Sequence, residues 1–193
     1  LELSQEFSLS RFLATLPIPL FMIMSSLFMP FIGRVLDKGA IRSILMTGAL
    51  VYGLSLVSLY FAFSYISFML IFTLPMALGV TMMGNISVSK LISLWFRKYT
   101  GRALGIASVG VSFAGFVFPN LTSFLLGDLG LTWREAYLLF GVLIILINIP
   151  VVYLFIVNKP SDINQIPDGE GLTGYSEDTL GVDWTIQDLL KDR

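Results

Sequence analysis

The chain has 193 residues and a net charge of −1; 55% of its residues are hydrophobic, only 13% are charged, and the mean hydropathy is +0.83. Because about a quarter of the residues in soluble domains are charged, this composition indicates a membrane protein, and the lack of a long basic cluster argues against nucleic acid as a partner. The absence of cysteine and histidine excludes disulfides, thiolate nucleophiles, zinc or haem ligation by these residues and histidine acid/base chemistry, so we expect no cofactor, no metal site and no enzyme activity.

Long runs without charged residues predict an all-α membrane protein. A helix needs about 20 apolar residues to cross the hydrocarbon core of a bilayer. Residues 43–89 carry no charge, but one helix of that length would span the core about twice, so the polar and aromatic residues from Phe63 to Ser67 predict a turn between two helices. The predicted spans are residues 12–34, 43–63, 67–95, 103–127 and 134–157.

The distribution of basic residues predicts the orientation in the membrane. Arg11 and Arg134 fall on one face, and all other basic residues at the predicted helix ends fall on the opposite face. The positive-inside rule then places residues 1–10 outside and residues 158–193 in the cytoplasm. Since the chain starts outside and without an initiator methionine, we expect that another span precedes Leu1 in the complete protein.

Residues 158–193 are predicted to form an acidic cytoplasmic segment. The sequence after Lys159 is rich in Asp, Glu, Gly and Ser, which is typical of a solvated segment. Near its end, apolar residues recur at helical spacing, and this pattern predicts a short amphipathic helix over residues 183–191.

A cluster of glycine, acidic and basic residues lies between the first two spans, from Gly33 to Arg42. A positive-inside turn explains the basic residues, but it does not explain Asp37, which needs a partner at the membrane interface. We therefore favour a specific ionic latch over a simple turn.

This cluster resembles the loop between the second and third helices of major facilitator superfamily transporters. Gly33, Asp37, Lys38 and Arg42 match the pattern of that loop, whereas Ala40 stands where the pattern has its second glycine. The resemblance implies a gate on the cytoplasmic side. Its predicted residues are Gly33, Asp37, Lys38, Arg42, Arg97 and Arg102.

A second motif runs from Trp95 to Ala107 and resembles the monocarboxylate and oxalate/formate branch of that superfamily. It combines a Trp-Phe pair, a basic loop and small residues at the start of the next helix. Small residues at steps of three and four form one face of that helix, which would let another helix approach closely. We favour ordinary helix packing without a transport role as the explanation for each residue of this face. The face consists of Gly101, Gly105, Ser108, Ser112 and Gly115.

Lys90 is the charged residue that lies deepest within a predicted span. An intramembrane charge is costly, so Lys90 is a candidate for binding an anionic substrate, although its ammonium could instead reach the cytoplasmic interface near Trp95. Asn85, Asn120 and Asn148 are uncharged candidates for the same role, and hydrogen bonds between helices would also account for them.

The resemblance implies a partial major-facilitator bundle that contains the second to sixth of twelve helices. It further implies alternating-access transport of a small organic anion such as a monocarboxylate, driven by protons or by exchange. The expected partners are this anion, protons, the lipid bilayer and the missing C-terminal half of the same protein, and the expected location is a bacterial inner (plasma) membrane. A noncatalytic membrane scaffold or assembly subunit remains an open alternative.

Overall fold

The computed structural model describes residues 6, 7 and 9–168, so the predicted amphipathic helix at 183–191 lies outside the described residues. Between residues 9 and 168 the chain is built from α-helices, joined by short connections. These helices are α1 (Arg11–Thr15), α2 (Pro17–Asp37), α3 (Ile41–Tyr60), α4 (Tyr65–Thr73), α5 (Pro75–Met83), α6 (Asn85–Trp95), α7 (Thr100–Gly127) and α8 (Trp133–Phe155), followed by a 3₁₀ turn at Pro160–Ile163.

The helices form five segments that are long and apolar enough to cross a membrane. Helices α1 and α2 together form the first segment, and α4 to α6 together form the third. This arrangement confirms the predicted all-α fold with five spans. The first segment continues past Arg34 to Asp37, farther than predicted.

The turn between the second and third segments overlaps the predicted one but lies earlier: residues 61–64 connect the helices, and residues 65–67 already belong to α4. Helix α3 ends at Tyr60, and Ser64 caps the start of α4 by accepting a hydrogen bond from the backbone N–H of Ser67 at 3.2 Å. The Ser67 hydroxyl in turn accepts the Ser64 N–H at 3.2 Å. This capping box satisfies donors that would otherwise be unpaired at the helix start.

The third segment, predicted as one helix over 67–95, is interrupted twice. Pro75 begins a new helix because its ring lacks an N–H and crowds the preceding turn. Gly84 has an extended backbone with φ −75° and ψ −167°, and α6 begins after it. Ser87 is fully buried at this second break and donates a hydrogen bond to the Met82 carbonyl at 2.5 Å, so its side chain satisfies a carbonyl that the interruption releases.

Helix α3 lies at the centre of the bundle and contacts α8 and α5 most extensively. Glycines make these close approaches possible. A Cβ atom on Gly53 would lie 2.9 Å from the Gly141 carbonyl oxygen of α8, and one on Gly79 of α5 would lie 2.6 Å from the Tyr52 backbone nitrogen. The central helix is therefore packed backbone against backbone on two sides.

Helix α7 lies largely away from the other described helices. Ile106 and Phe116 are 74% and 71% exposed, and a contact between the rings of Phe118 and Phe140 of α8 is one of its few packing interactions. A Cβ atom on Gly101, Gly105 or Gly115 would meet nothing within 4 Å. In the described part of the chain, no helix packs on the predicted small-residue face.

Candidate functional site

An ion pair joins α2 to α6 at the end of the bundle where the basic residues cluster. We call this the basic end; it carries Arg34, Lys38, Arg42, Arg97, Lys98, Arg102 and Lys159. Asp37 is the last residue of α2, and its Oδ1 lies 3.0 Å from Nζ of Lys90 in α6. The Lys90 side chain is 40% exposed and that of Asp37 is 70% exposed. The predicted gate acid and the predicted substrate lysine therefore contact each other.

The ion pair lies in a cleft of about 470 Å³ between α2, α6 and α7. Most of the cleft wall is apolar, and the charged groups and a few hydroxyls supply its polar atoms. The cleft is wide open, so it would cover only part of a small organic ligand, with apolar walls for contact area and a few polar groups for orientation. The cleft is lined by Gly33, Leu36, Asp37, Ile86, Ser89, Lys90, Ser93, Thr100 and Leu104.

Two glycines shape the α2 side of this region. Gly33 lines the cleft, and a Cβ atom there would meet nothing within 4 Å. Gly39 has φ +82° and follows the end of α2, and its N–H donates to the Leu36 carbonyl at 3.0 Å. Gly39 thus makes the left-handed turn after the helix, a position that favours glycine. Ala40 needs no positive φ, so its presence in place of the pattern's glycine leaves the turn intact.

Arg42 is bound to the end of α8. Its guanidinium donates to the Tyr153 carbonyl and lies 4.6 Å from the centre of the Tyr153 ring. Its backbone N–H donates to Oδ1 of Asn158 at 2.8 Å. Through these contacts Arg42 fastens the start of α3 to the end of α8 at the basic end. Among the described residues it makes no hydrogen bond to Asp37.

The other predicted gate cations are grouped around the α6–α7 loop or follow the end of α2. Arg102 stacks on the Tyr99 ring at 5.1 Å from its centre, and Lys98 lies 5.5 Å from the same ring. The backbone N–H of Arg97 donates to the Asp168 carboxylate. Lys38 forms no ion pair with any described residue. The six predicted gate residues therefore belong to separate groups at one end of the bundle.

The three asparagines differ in their hydrogen bonding. Asn120 and Asn148 donate to carbonyls of their own helices, Phe116 at 2.6 Å and Ile144 at 3.2 Å. Asn85 begins α6 beside the break at Gly84, is exposed, and has no hydrogen-bond partner among the described residues.

The opposite end of the bundle holds an ion pair that the sequence interpretation missed. Arg134, at the start of α8, forms a salt bridge with Glu6 and donates to the Ala62 carbonyl at 2.8 Å. The Trp133 indole N–H donates to the same Glu6 carboxylate at 2.7 Å. The predicted topology contained the signal for this pair, because it places Glu6 and Arg134 on the same side of the membrane.

The chain is similar to a large family of membrane proteins and to several fungal proteins. A family model for the Major Facilitator Superfamily matches residues 1–193. An "MFS-type transporter" of Gibberella moniliformis is 30% identical over 119 residues, which is 60% of this chain and 28% of the relative. The "Fujikurins efflux protein" of Gibberella fujikuroi is 31% identical over 121 residues, which is 60% of this chain and 25% of that relative.

A third relative, "MFS-type transporter 1" of an Ophiocordyceps species, is 33% identical over 125 residues, which is 63% of this chain and 27% of the relative. The matched segment thus spans about a quarter of the length of these curated relatives. No solved structure matches the chain significantly. Because these relatives are fungal, the expected bacterial inner membrane gains no support.

Proposed function

The chain belongs to the Major Facilitator Superfamily, and we propose that it forms part of a secondary transporter that carries a small organic anion by alternating access. It is an integral membrane protein, with five segments able to cross a bilayer. In this superfamily, related halves rock around a central site, so that access alternates between the two sides. We further propose that the C-terminal half of the complete protein is the main partner of the described helices.

The contact between Lys90 and Asp37 in the cleft is the observation that carries the proposal. A lysine within a span is costly, so such residues face cavities or counter-ions, and Lys90 does both. A carboxylate on a substrate can replace Asp37 as the partner of the Lys90 ammonium. Substrate binding would then release α2 from α6.

The same contact supports coupling by exchange, because a second anion can displace Asp37 from the Lys90 ammonium as the first one does. Coupling to protons is proposed from the resemblance to the superfamily alone.

The positive-inside rule supports placing the basic end in the cytoplasm, with residues 1–10 outside and residues 158–193 inside. On this orientation the Asp37–Lys90 pair holds the cytoplasmic ends of α2 and α6 together. Opening towards the cytoplasm would require the pair to separate.

Export is the second candidate direction. It is favoured by the relative from Gibberella fujikuroi that is named a fujikurins efflux protein. An exporter of this kind would still need to load its solute at the basic end, where the cleft lies.

The test is transport by the full-length protein in proteoliposomes, with radiolabelled lactate as the monocarboxylate probe. We expect Asp37→Asn and Lys90→Gln each to lower the initial rate by up to about fivefold, because an ion pair this exposed contributes at most about 1 kcal/mol. The double variant Asp37→Lys with Lys90→Asp rebuilds the pair in the reverse order, and we expect it to recover gating. Lys38→Gln is the matched control, since it removes a neighbouring charge that has no ion-pair partner among the described residues.

Separate outcomes distinguish the two roles of Lys90. Lys90 has a second role if it binds the substrate in addition to pairing with Asp37. In that case the reversed pair will restore gating, but the Km for lactate will stay high. If Asp37→Asn and Lys90→Gln both transport like the wild type, the ion pair is not a gate. A wild-type protein that moves neither lactate nor other organic anions, in either direction, would favour the scaffold alternative.

A further inference from the structure

The residues that follow the last span are bound back onto the basic end at several places. We call residues 156–168 the strap. The Val157 carbonyl accepts a hydrogen bond from the Trp95 indole at 3.3 Å, and Asn158 accepts the Arg42 N–H at 2.8 Å. Farther along, the strap reaches the loop between α6 and α7 through Asp168. The strap therefore contacts the end of α6, the start of α3 and the α6–α7 loop.

Asp168 makes the densest of these contacts. Its carboxylate accepts the backbone N–H groups of Arg97 and of Tyr99, the latter at 3.0 Å. Its own carbonyl accepts the Lys98 N–H at 3.4 Å, and its N–H donates to the Trp95 carbonyl at 3.3 Å. Three consecutive N–H groups after the end of α6 thus find their acceptors on one residue.

An aspartate is well suited to this arrangement. Its two carboxylate oxygens accept from two amides at once, and bonds to a charged acceptor are stronger than neutral ones. An asparagine would keep one acceptor oxygen and turn a donor group towards the other amide. The loop geometry therefore depends on the charge and symmetry of this side chain.

The loop that Asp168 binds connects two walls of the cleft. Helix α6 carries Lys90 and ends at Trp95, and α7 begins at Thr100, which lines the cleft together with Leu104. A change in this loop would alter the relative position of α6 and α7, and with it the position of Lys90 opposite Asp37.

We propose that Asp168 is a positioning residue, which acts through the strap to hold the α6–α7 loop and so sets the geometry of the cleft. The consequence for transport rests on the proposed function, whereas the consequence for the loop does not. Another acid of the strap, Asp162, has a purely local contact, since it accepts the N–H of Lys159 at 3.2 Å within its own turn. Asp162→Asn is therefore the matched control.

The first experiment measures amide hydrogen exchange in the full-length protein in lipid nanodiscs. We expect Asp168→Ala to raise exchange at residues 97 and 99 about tenfold or more, since it removes the carboxylate that accepts both N–H groups. Asp168→Asn should give a smaller rise and Asp162→Asn none. Unchanged exchange at residues 97 and 99 in Asp168→Ala would overturn the proposal. If Asp168→Ala does not fold, unchanged exchange at these residues in Asp168→Asn would overturn it.

The second experiment separates positioning from a general loss of folded protein. In proteoliposomes, we expect Asp168→Asn to raise the Km for lactate several-fold and to change Vmax less. A purely structural role would lower Vmax with the amount of active protein and leave Km unchanged, which would refute positioning. If the wild type carries neither lactate nor any other organic anion while amide exchange responds as expected, the proposed function fails but the role of Asp168 in holding the loop stands.

Discussion

At the scale of single residues, charges at both ends of the bundle are bound by acids from distant parts of the sequence. Asp37 meets Lys90 at the basic end, and Glu6 meets Arg134 at the opposite end. The two pairs differ in their surroundings. Arg134 is 24% exposed and also donates to a backbone carbonyl, so it is held more firmly than Lys90, which is 40% exposed. We assign a stabilising role to the Arg134 pair and a switching role to the Lys90 pair.

Removal of Arg134 should therefore lower stability more than removal of an unpaired charge at the same end. We expect Arg134→Ala to reduce the free energy of unfolding by about 1–3 kcal/mol, because the Ala62 carbonyl loses its donor and the Glu6 carboxylate keeps only the Trp133 indole N–H. Glu6→Gln should cost less, since an acceptor oxygen remains. Thermal unfolding in detergent measures both effects.

Arg11→Ala provides the control for this comparison, because the Arg11 side chain has no partner among the described residues. We expect its melting temperature to match that of the wild type. If Arg11→Ala and Arg134→Ala lower the melting temperature equally, the Glu6–Arg134 ion pair does not have the stabilising role that we assign to it.

At the scale of helices, glycines decide which elements touch. Gly53 and Gly141 bring α3 and α8 into backbone contact, whereas glycines of α7 have open space around them. The sequence interpretation chose the α7 glycines as packing residues because their spacing on one helix is regular. It missed Gly53 and Gly141 because they face each other across two helices, and no spacing within one helix reveals such a pair.

Gly53→Val should disrupt the bundle. A Cβ atom at this position would lie 2.9 Å from the Gly141 carbonyl oxygen, and backbone atoms cannot move aside as a side chain can. We expect α3 and α8 to separate locally, at a cost of about 3 kcal/mol, the upper part of the range for overpacked cores. The melting temperature in detergent and the yield of monodisperse protein measure this loss.

Gly110→Val is the control for this substitution, because Gly110 is also helical and a Cβ atom there meets nothing within 4 Å. It should leave the melting temperature near that of the wild type. A larger loss at Gly110 than at Gly53 would contradict the packing described for α3.

The limits of sequence interpretation follow from the same physics. Five spans could be predicted because the thickness of a bilayer fixes the length of an apolar run. The turn at Ser64 could be predicted because polar residues interrupt a long apolar run there. The helix break at Gly84 could not be predicted, since a single glycine is tolerated in many helices. Asp37 and Lys90 were each predicted to need a partner, but their contact depends on how α2 lies beside α6.

At the scale of the whole molecule, α7 presents a face without a neighbour among the described residues. The small residues of this face lie on one side of the helix, and Gly110 lies on the other. We propose that the C-terminal half of the complete protein covers the small-residue face and that lipid covers the opposite side.

Leucine substitutions on the two sides of α7 test this arrangement. In the full-length protein, Gly105→Leu should lower the lactate transport rate about tenfold or more, because a bulky side chain prevents close approach of the second half. Gly110→Leu should keep a rate near that of the wild type, since a leucine is accommodated by lipid. Equal rates for the two variants would mean that the second half does not pack on the Gly105 side.

The exposure of the Asp37–Lys90 pair also limits how long the proposed carrier would dwell in one state. An ion pair this exposed contributes at most about 1 kcal/mol. That energy shifts the ratio of two conformations by roughly fivefold. Such a contact biases the resting population without trapping it, so thermal motion can still open it in every cycle. A fully buried pair in its place would hold one conformation longer and slow the turnover of the carrier.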